Sequence, residues 1–139
     1  MYKSLYCIRN AHNNGKVLTN VGKTQVNFLK SNWRIMNQIE LIITDNSPKS
    51  IKTTNQLFDN VPVIPLNLQD NAIDYNKKMN MFFHTLMNRQ ECMIAYVGHS
   101  KFIDNIKRSD RYYKPLKNRI KRVHPYLVEL TFNKDFCDN

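Results

Sequence analysis

Long apolar runs and cysteines are both scarce in this sequence of 139 residues. No stretch approaches the ~18 consecutive apolar residues of a transmembrane helix, and no basic start followed by a small-residue cleavage site indicates a signal peptide. The cysteines Cys7, Cys92 and Cys137 are odd in number and widely spaced. Because this pattern does not form a disulfide framework, we expect reduced thiols in an intracellular, reducing compartment. The missing apolar runs lead us to expect no membrane contact.

Several phosphate and metal motifs are also missing. The Gly-Lys-Thr at residues 22–24 resembles part of a P-loop, but the required upstream glycine is replaced by Val17. Neither Cys7 nor Cys92 is followed, six positions later, by the arginine of a cysteine phosphatase. The four histidines show none of the close paired spacings of structural or hydrolytic zinc. We therefore expect no metal and no cofactor.

Acidic residues are few, with 11 against 21 Lys and Arg and a net charge of +10. Nine of these cations lie between Lys101 and Arg122, interleaved with Tyr112 and Tyr113. Such a segment suits nucleic acid or another polyanion, and the alternatives are an acidic protein surface or a solvated face without a specific role. The predicted polyanion-binding residues are Lys117, Arg119, Lys121 and Arg122.

Apolar runs and helical periodicity alternate along the chain. Runs at residues 2–8, 39–44, 61–66, 92–97 and 125–132 predict strands. Helices are expected after the first three runs. The first has Thr19 as N-cap, and a second starts at Ser47 before Pro48. The first helix should bury an apolar stripe of Val21, Gln25, Phe28, Leu29, Trp33 and Met36. We therefore predict one α/β domain over residues 1–139, a three-layer sandwich whose mostly parallel sheet is covered by helices on both faces.

Polar side chains follow three of the predicted strands. Arg9, Asn10 and His12 come after the first run, residues 45–49 after the second, and residues 98–100 after the fourth. Ligands of such sheets bind beyond the carboxyl ends of the strands. Cations and imidazoles that converge there favour a phosphate or carboxylate site.

Four short motifs occur in an informative order: Arg9-Asn10-Ala11 after the first strand, "LTNVGKTQ" at 18–25, "SPKSIKTT" at 47–54 and "VGHS" at 97–100. This order resembles the histidine phosphatase superfamily, also called the phosphoglycerate-mutase-like family, over about residues 4 to 105. The family pattern is Arg-His-Gly or Arg-His-Ala, then Leu-Thr-x-x-Gly-x-x-Gln, then Ser-Pro-x-x-Arg-x-x-Gln-Thr, then Gly-His. The resemblance implies a phosphoglycerate mutase-like fold.

The resemblance also implies roles for individual residues. In the family a neutral histidine attacks phosphorus, two arginines and a second histidine hold the phosphoryl oxygens, and a carboxyl group protonates the leaving oxygen. Arg9 matches the first arginine and His99 the second histidine. Lys49 takes the place of the second arginine if the segment is aligned on Thr53, and Asn10 stands at the nucleophile position.

Asn10 is the most serious departure, because an amide is not a usable phosphoryl acceptor. We therefore predict a catalytically impaired pseudophosphatase that keeps an anion pocket of Arg9, Asn10, Lys49 and His99 and acts as a binding or structural component. The alternative is a working phosphomonoester hydrolase that uses His12 as an unorthodox nucleophile.

The proton donor of such a hydrolase is expected at Asp70, whose other possible role is to cap a helix. Small size and a residue usage typical of an AT-rich genome, with 19 asparagines, are features of virus-encoded homologues, so the protein is expected in the cytoplasm or inside a virus particle.

Overall fold

A computed structural model describes residues 2–15, 17–69 and 72–108, together with the backbone of two strands at 121–124 and 127–133. The strands are β1 (Tyr2–Arg9), β2 (Leu41–Asp45), β3 (Val63–Leu66), β4 (Met93–Gly98), β5 (Lys121–His124) and β6 (Leu127–Asn133). The helices are α1 (Asn20–Asn32), α2 (Pro48–Leu57), α3 (Tyr75–Asn88) and α4 (Ser100–Lys107), with a short 3-10 turn at Met36–Gln38. In this part of the chain, no helix has the length and apolar character needed to span a membrane.

The strands form one sheet in the order β3-β2-β4-β1-β6-β5. β3, β2, β4 and β1 are parallel, whereas β6 and β5 run antiparallel to their neighbours. The fully buried strand β2 explains the uninterrupted apolar run in its sequence, because both faces of a central parallel strand are covered. β3 lies at an edge of the sheet. Proline lacks a backbone N–H, so Pro65 is tolerated at an edge, whereas in a central strand it would remove a hydrogen bond between strands.

Helices cover the two faces of the sheet. The core on one face contains side chains of α1 and α2, and the core on the other contains side chains of α3 and α4. The predicted three-layer α/β architecture with a mostly parallel sheet is confirmed. In such a sheet the carboxyl ends of β2, β4 and β1 meet at one edge, which places the loops that follow them side by side.

Three details of the prediction are corrected. Val21 and Phe28 are 58% and 50% exposed, so the buried stripe of α1 is instead formed by Gly22, Val26 and Leu29. The periodicity of the sequence did not distinguish the predicted stripe of α1 from the buried one, because both sets of residues have helical spacing. β5 was not predicted, since its charged residues hide the strand pattern. α3 begins at Tyr75 with Asp74 as its N-cap, and Asp70 itself lies outside the described residues.

Candidate phosphate-binding site

The ends of β1 and β4 bring the first predicted site residues together. Arg9 is paired in register with Gly98, and the backbone N–H of Asn10 donates to the Gly98 carbonyl at 3.0 Å. His99 follows directly and begins α4 as its N-cap. Arg9 is exposed and, with Ala11, Gln25 and Thr53, lines a small cavity on the face of the sheet covered by α1 and α2. The backbones of Arg9, Asn10 and His99 lie side by side at the ends of β1 and β4.

Gly98 is required by the close approach of its neighbours. A Cβ at this position would lie 2.2 Å from the Tyr96 hydroxyl oxygen and 2.8 Å from Oδ2 of Asp45. Tyr96 and Asp45 are both fully buried. The glycine therefore leaves room for a polar floor beneath the strand ends, made of one hydroxyl and one carboxylate.

The polar groups of this floor are incompletely satisfied. The Tyr96 hydroxyl and Oδ1 of Asn10 are buried and have no hydrogen-bond partner among the described residues. Burial raises the pKa of Tyr96 well above its ordinary value, and the negative charge of Asp45 adds to this rise. Tyr96 is therefore a neutral hydroxyl at neutral pH. Unsatisfied buried polar atoms are uncommon in proteins, and a catalytic or ligand-binding role is one of the explanations for them.

Asp45 also shapes the start of α2. Its Oδ1 accepts from the backbone N–H of Ser47 at 3.0 Å, and the Ser47 side chain accepts from the N–H of Ser50 as the N-cap. Lys49 lies in the first turn and is exposed. Because a helix N-terminus carries partial positive charge, the start of α2 places that charge beside the end of β2.

A hydrogen-bond chain connects Lys49 to the loop after β1. The Thr53 hydroxyl accepts from the backbone N–H of Ala11 at 3.1 Å and donates to the carbonyl of Lys49 at 3.0 Å. Lys49 is thus one helical turn from Thr53, whose hydroxyl binds the loop after β1.

His12 is held at the beginning of α1. Its backbone N–H donates to Oε1 of Gln25 at 2.9 Å, and its Nδ1 lies 2.6 Å from Oγ1 of Thr19. Thr19 is the N-cap of α1, as predicted, and a Cβ on Gly22 would lie 1.9 Å from the His12 carbonyl oxygen. The Leu-Thr-x-x-Gly-x-x-Gln motif therefore fixes the loop around His12, and this role depends on Thr19, Gly22 and Gln25 together.

His99 borders a cavity near the strand ends. This cavity has a volume of about 340 Å³ and is lined by Leu68, Gln69, Tyr75, Lys78, His99, Lys101, Phe102 and Asn105. α4 has no side-chain cap, in contrast to the other three helices. Its first N–H groups are thus not used by a capping side chain, and such groups are suited to bind an anion.

No counter-ion of Arg9 or Lys49 is found among the described residues. Among the described residues, the ion pairs are Arg89–Glu91 and Lys107–Asp104, and both lie away from the strand ends. The side chains of Arg9, Lys49 and His99 make no hydrogen bond or ion pair with any described residue. Arg9 at the end of β1 and Lys49 in the first turn of α2, each without an ion pair in the described part of the chain, favour an anionic ligand.

The remaining predicted residues cannot be placed in this site from the described part of the chain. Asp70, Lys117 and Arg119 lie outside the described residues, and Lys121 and Arg122 are described only by their backbone in β5. Within the described ranges, no three His, Cys, Asp or Glu side chains lie together as a metal site would require.

Sequence reasoning missed Tyr96, Lys78 and Lys101. The available signal for Tyr96 was a hydroxyl in an otherwise apolar central strand. The two lysines carry no motif, and only the packing of α3 and α4 brings them to the cavity of His99. The positions of these three side chains near the strand ends are therefore visible only in the tertiary structure.

No family model and no curated protein sequence matches this chain. Solved structures do resemble it. Phosphoglycerate mutase from Plasmodium falciparum has a TM-score of 0.62 at 14% identity, covering 96% of this chain and 85% of that one. Phosphoserine phosphatase from Entamoeba histolytica, in complex with 3-phosphoglyceric acid, has a TM-score of 0.54 at 15% identity, covering 76% and 78%.

A third similar structure is the mycobacterial glucosyl-3-phosphoglycerate phosphatase. Its TM-score is 0.57 at 11% identity, with 77% of this chain and 78% of that chain covered. The three structures share the phosphoglycerate mutase-like architecture of the histidine phosphatase superfamily. The fold that the sequence motifs predicted is confirmed by this similarity.

Proposed function

We propose that this protein binds a phosphate-bearing ligand at the ends of β1, β2 and β4 and is impaired in phosphoryl transfer. The single observation that carries the proposal is Asn10, which is hydrogen-bonded beside Gly98 at the position where the resemblance requires a nucleophilic histidine. The solved structures of similar fold include proteins that act on phosphorylated compounds. Arg9, Lys49 and His99 would hold the phosphoryl oxygens.

Asparagine changes the chemistry but leaves binding possible. A side-chain amide has no basic lone pair that attacks phosphorus at neutral pH, whereas its N–H groups donate to phosphate oxygens. Lysine at position 49 supplies a point charge without the planar fork of arginine, so it supports affinity more than orientation. Both replacements act in the same direction, towards binding without turnover.

Hydrolysis of an aryl phosphate tests this proposal. The native protein should show at most trace turnover, roughly a thousandfold or more below an active phosphohistidine enzyme, because covalent catalysis is missing. Asn10→His is compared with Asn10→Gln, which retains an amide and should stay inactive. Robust hydrolysis by the native protein that disappears in His99→Ala would contradict the proposal.

The alternative nucleophile is tested in the same assay. The 2.6 Å contact between Nδ1 of His12 and Thr19 supports a structural role, because it directs the imidazole to the N-cap of α1. We therefore expect His12→Gln to leave any residual hydrolysis unchanged. Loss of turnover in this variant, with the fold intact, would instead support the phosphomonoester hydrolase that uses His12.

A second binding function concerns the basic segment at residues 101–122. β5 contains Lys121 and Arg122 and lies at the edge of the sheet, paired on one side with β6. An edge position supports access by a large polyanion. We propose that this segment binds nucleic acid through its phosphates, with an acidic protein surface as the competing partner.

Polyanion binding is tested with a short single strand and a short duplex at two salt concentrations. Affinity should fall steeply with salt, because the counterions released on binding gain less entropy when the surrounding salt concentration is high. The fourfold neutralised variant should have lower affinity and a flatter salt dependence; its changes are Lys117→Gln, Arg119→Gln, Lys121→Gln and Arg122→Gln. No binding at low salt would exclude nucleic acid and leave an acidic protein or a solvated face.

A further inference from the structure

The sequence contains 19 asparagines but a single Asn-Gly dipeptide, at residues 14 and 15. Glycine has no Cβ, so its backbone nitrogen can approach the side-chain carbonyl carbon of a preceding asparagine with little steric hindrance. Both residues are exposed, in the loop between β1 and α1. Gly15 has a φ of +94°, and a Cβ built on it would meet no atom within 4 Å. The surroundings of Gly15 are therefore open to solvent.

The hydrogen bonds of this loop favour attack of the Gly15 nitrogen on the Asn14 side chain. Oδ1 of Asn14 accepts from the backbone N–H of Val17 at 3.0 Å. This oxygen becomes negatively charged when a nucleophile adds to Cγ, so the Val17 N–H stabilises the intermediate as an oxyanion donor does. The Gly15 N–H donates to Oδ1 of Asn13 at 2.9 Å. Because Asn13 is a neutral acceptor, release of the Gly15 nitrogen breaks only a weak hydrogen bond.

We propose that Asn14 is a site of spontaneous deamidation and that its conversion weakens anion binding at the strand ends. The Gly15 nitrogen loses its proton to hydroxide and forms a bond to Cγ of Asn14. The Cγ–Nδ2 bond then breaks, and the amide nitrogen takes a proton from water and leaves as ammonia. Water opens the resulting succinimide at either carbonyl, so the product at position 14 is aspartate or isoaspartate with one additional negative charge.

The new charge would be in the loop that follows the first cation of the proposed anion site. Arg9 ends β1, and this loop leads to Thr19, the N-cap of α1. A carboxylate here repels an anionic ligand, and isoaspartate adds a backbone methylene to the turn in which Asn14 and Val17 exchange hydrogen bonds. The effect on affinity rests on the proposed function, whereas the deamidation itself does not.

Asn46 provides an internal comparison, because it is also exposed and precedes Ser47, another small residue. The Ser47 N–H donates to Oδ1 of the fully buried Asp45 at 3.0 Å, and Ser47 is the N-cap of α2. Its nitrogen must therefore leave a charge-assisted hydrogen bond before it can attack Asn46. Folding should protect Asn46 from deamidation and leave Asn14 reactive.

Peptide mass spectrometry during incubation in mildly alkaline buffer tests the modification, with the native protein either folded or unfolded in urea. Folding should slow the reaction at Asn46 at least about tenfold and at Asn14 less than about fivefold, since charge-assisted hydrogen bonds are stronger than neutral ones. Asn14→Gln lengthens the side chain and should abolish the modification at position 14. If the folded protein stays unmodified at Asn14, or if folding protects both asparagines equally, the inference is wrong.

The effect on the anion site is measured as the rise of Tm in tungstate. Asn14→Asp should lose part of this rise, whereas Asn27→Asp adds the same charge on the exposed surface of α1 and should keep it. A full rise in Asn14→Asp, or an equal loss in both variants, would overturn the link to the anion site. If tungstate does not raise Tm of the native protein, the proposed function and this link are wrong, while mass spectrometry still decides the deamidation.

Discussion

Replacement of Gly98 by alanine tests the description of the buried floor. The added methyl group would lie 2.2 Å from the Tyr96 hydroxyl oxygen, 2.5 Å from its Cζ and 2.8 Å from Oδ2 of Asp45. Tyr96 cannot retreat easily, because its ring packs against Phe82 and Phe102 with centroids 5.2 Å and 5.4 Å away. Overpacking of a core costs about 1–3 kcal/mol, and these contacts place Gly98→Ala near the upper end, at about 3 kcal/mol.

A double-mutant cycle with Tyr96→Phe tests whether the contact with the Tyr96 hydroxyl causes the loss of stability in Gly98→Ala. Tyr96→Phe alone should change the free energy of unfolding by less than about 0.5 kcal/mol, because the hydroxyl has no partner among the described residues. In the Gly98→Ala background it removes the closest contact and should restore about 1 kcal/mol. Full recovery is not expected, since Cζ of residue 96 and the Asp45 carboxylate remain close.

The free energies are measured by urea unfolding followed by circular dichroism, with thermal melting as a second readout. Gly98→Ala should lower Tm by about 10 °C for a domain of this size. A change below about 0.5 kcal/mol, or the absence of coupling with Tyr96→Phe, would show that the tight packing around residue 98 is described wrongly.

Two further predictions concern the anion site and a buried thiol. Tungstate should raise Tm through ligand linkage, and Arg9→Ala should abolish most of this rise. The control Arg34→Ala, an exposed position outside the site, should keep the rise. A full rise in Arg9→Ala would contradict the proposed anion site. Burial raises the pKa of Cys7 well above its ordinary value, so the folded state keeps this proton after the unfolded state has lost it. The free energy of unfolding should therefore fall by up to about 1.4 kcal/mol per pH unit above about pH 9, and Cys7→Ala should have a shallower fall in urea unfolding at several pH values. An identical pH dependence in the two proteins would refute this assignment.

Much of the architecture could be predicted because each element carries its own local signal. Apolar runs of strand length, the caps Thr19 and Ser47 and the polar residues after each strand indicated a layered α/β fold with its site at the strand ends. Arg9 and His99 were found in the same way, since parallel strands bring their carboxyl ends to one edge. The exposure of Val21 and Phe28 was not predicted, because helical spacing does not reveal which of two overlapping stripes of a helix is buried.

The sequence by itself determined the order of the elements and the identity of the residues at the strand ends, including the asparagine at position 10. These features depend on neighbours along the chain, which a sequence displays directly. The tertiary structure alone decided that Asp45 and Tyr96 lie beneath Gly98, that His12 is bound to Thr19, and that Lys78 and Lys101 line one cavity. Such contacts join distant segments, and their geometry is set by how the helices pack on the twisted sheet rather than by local sequence.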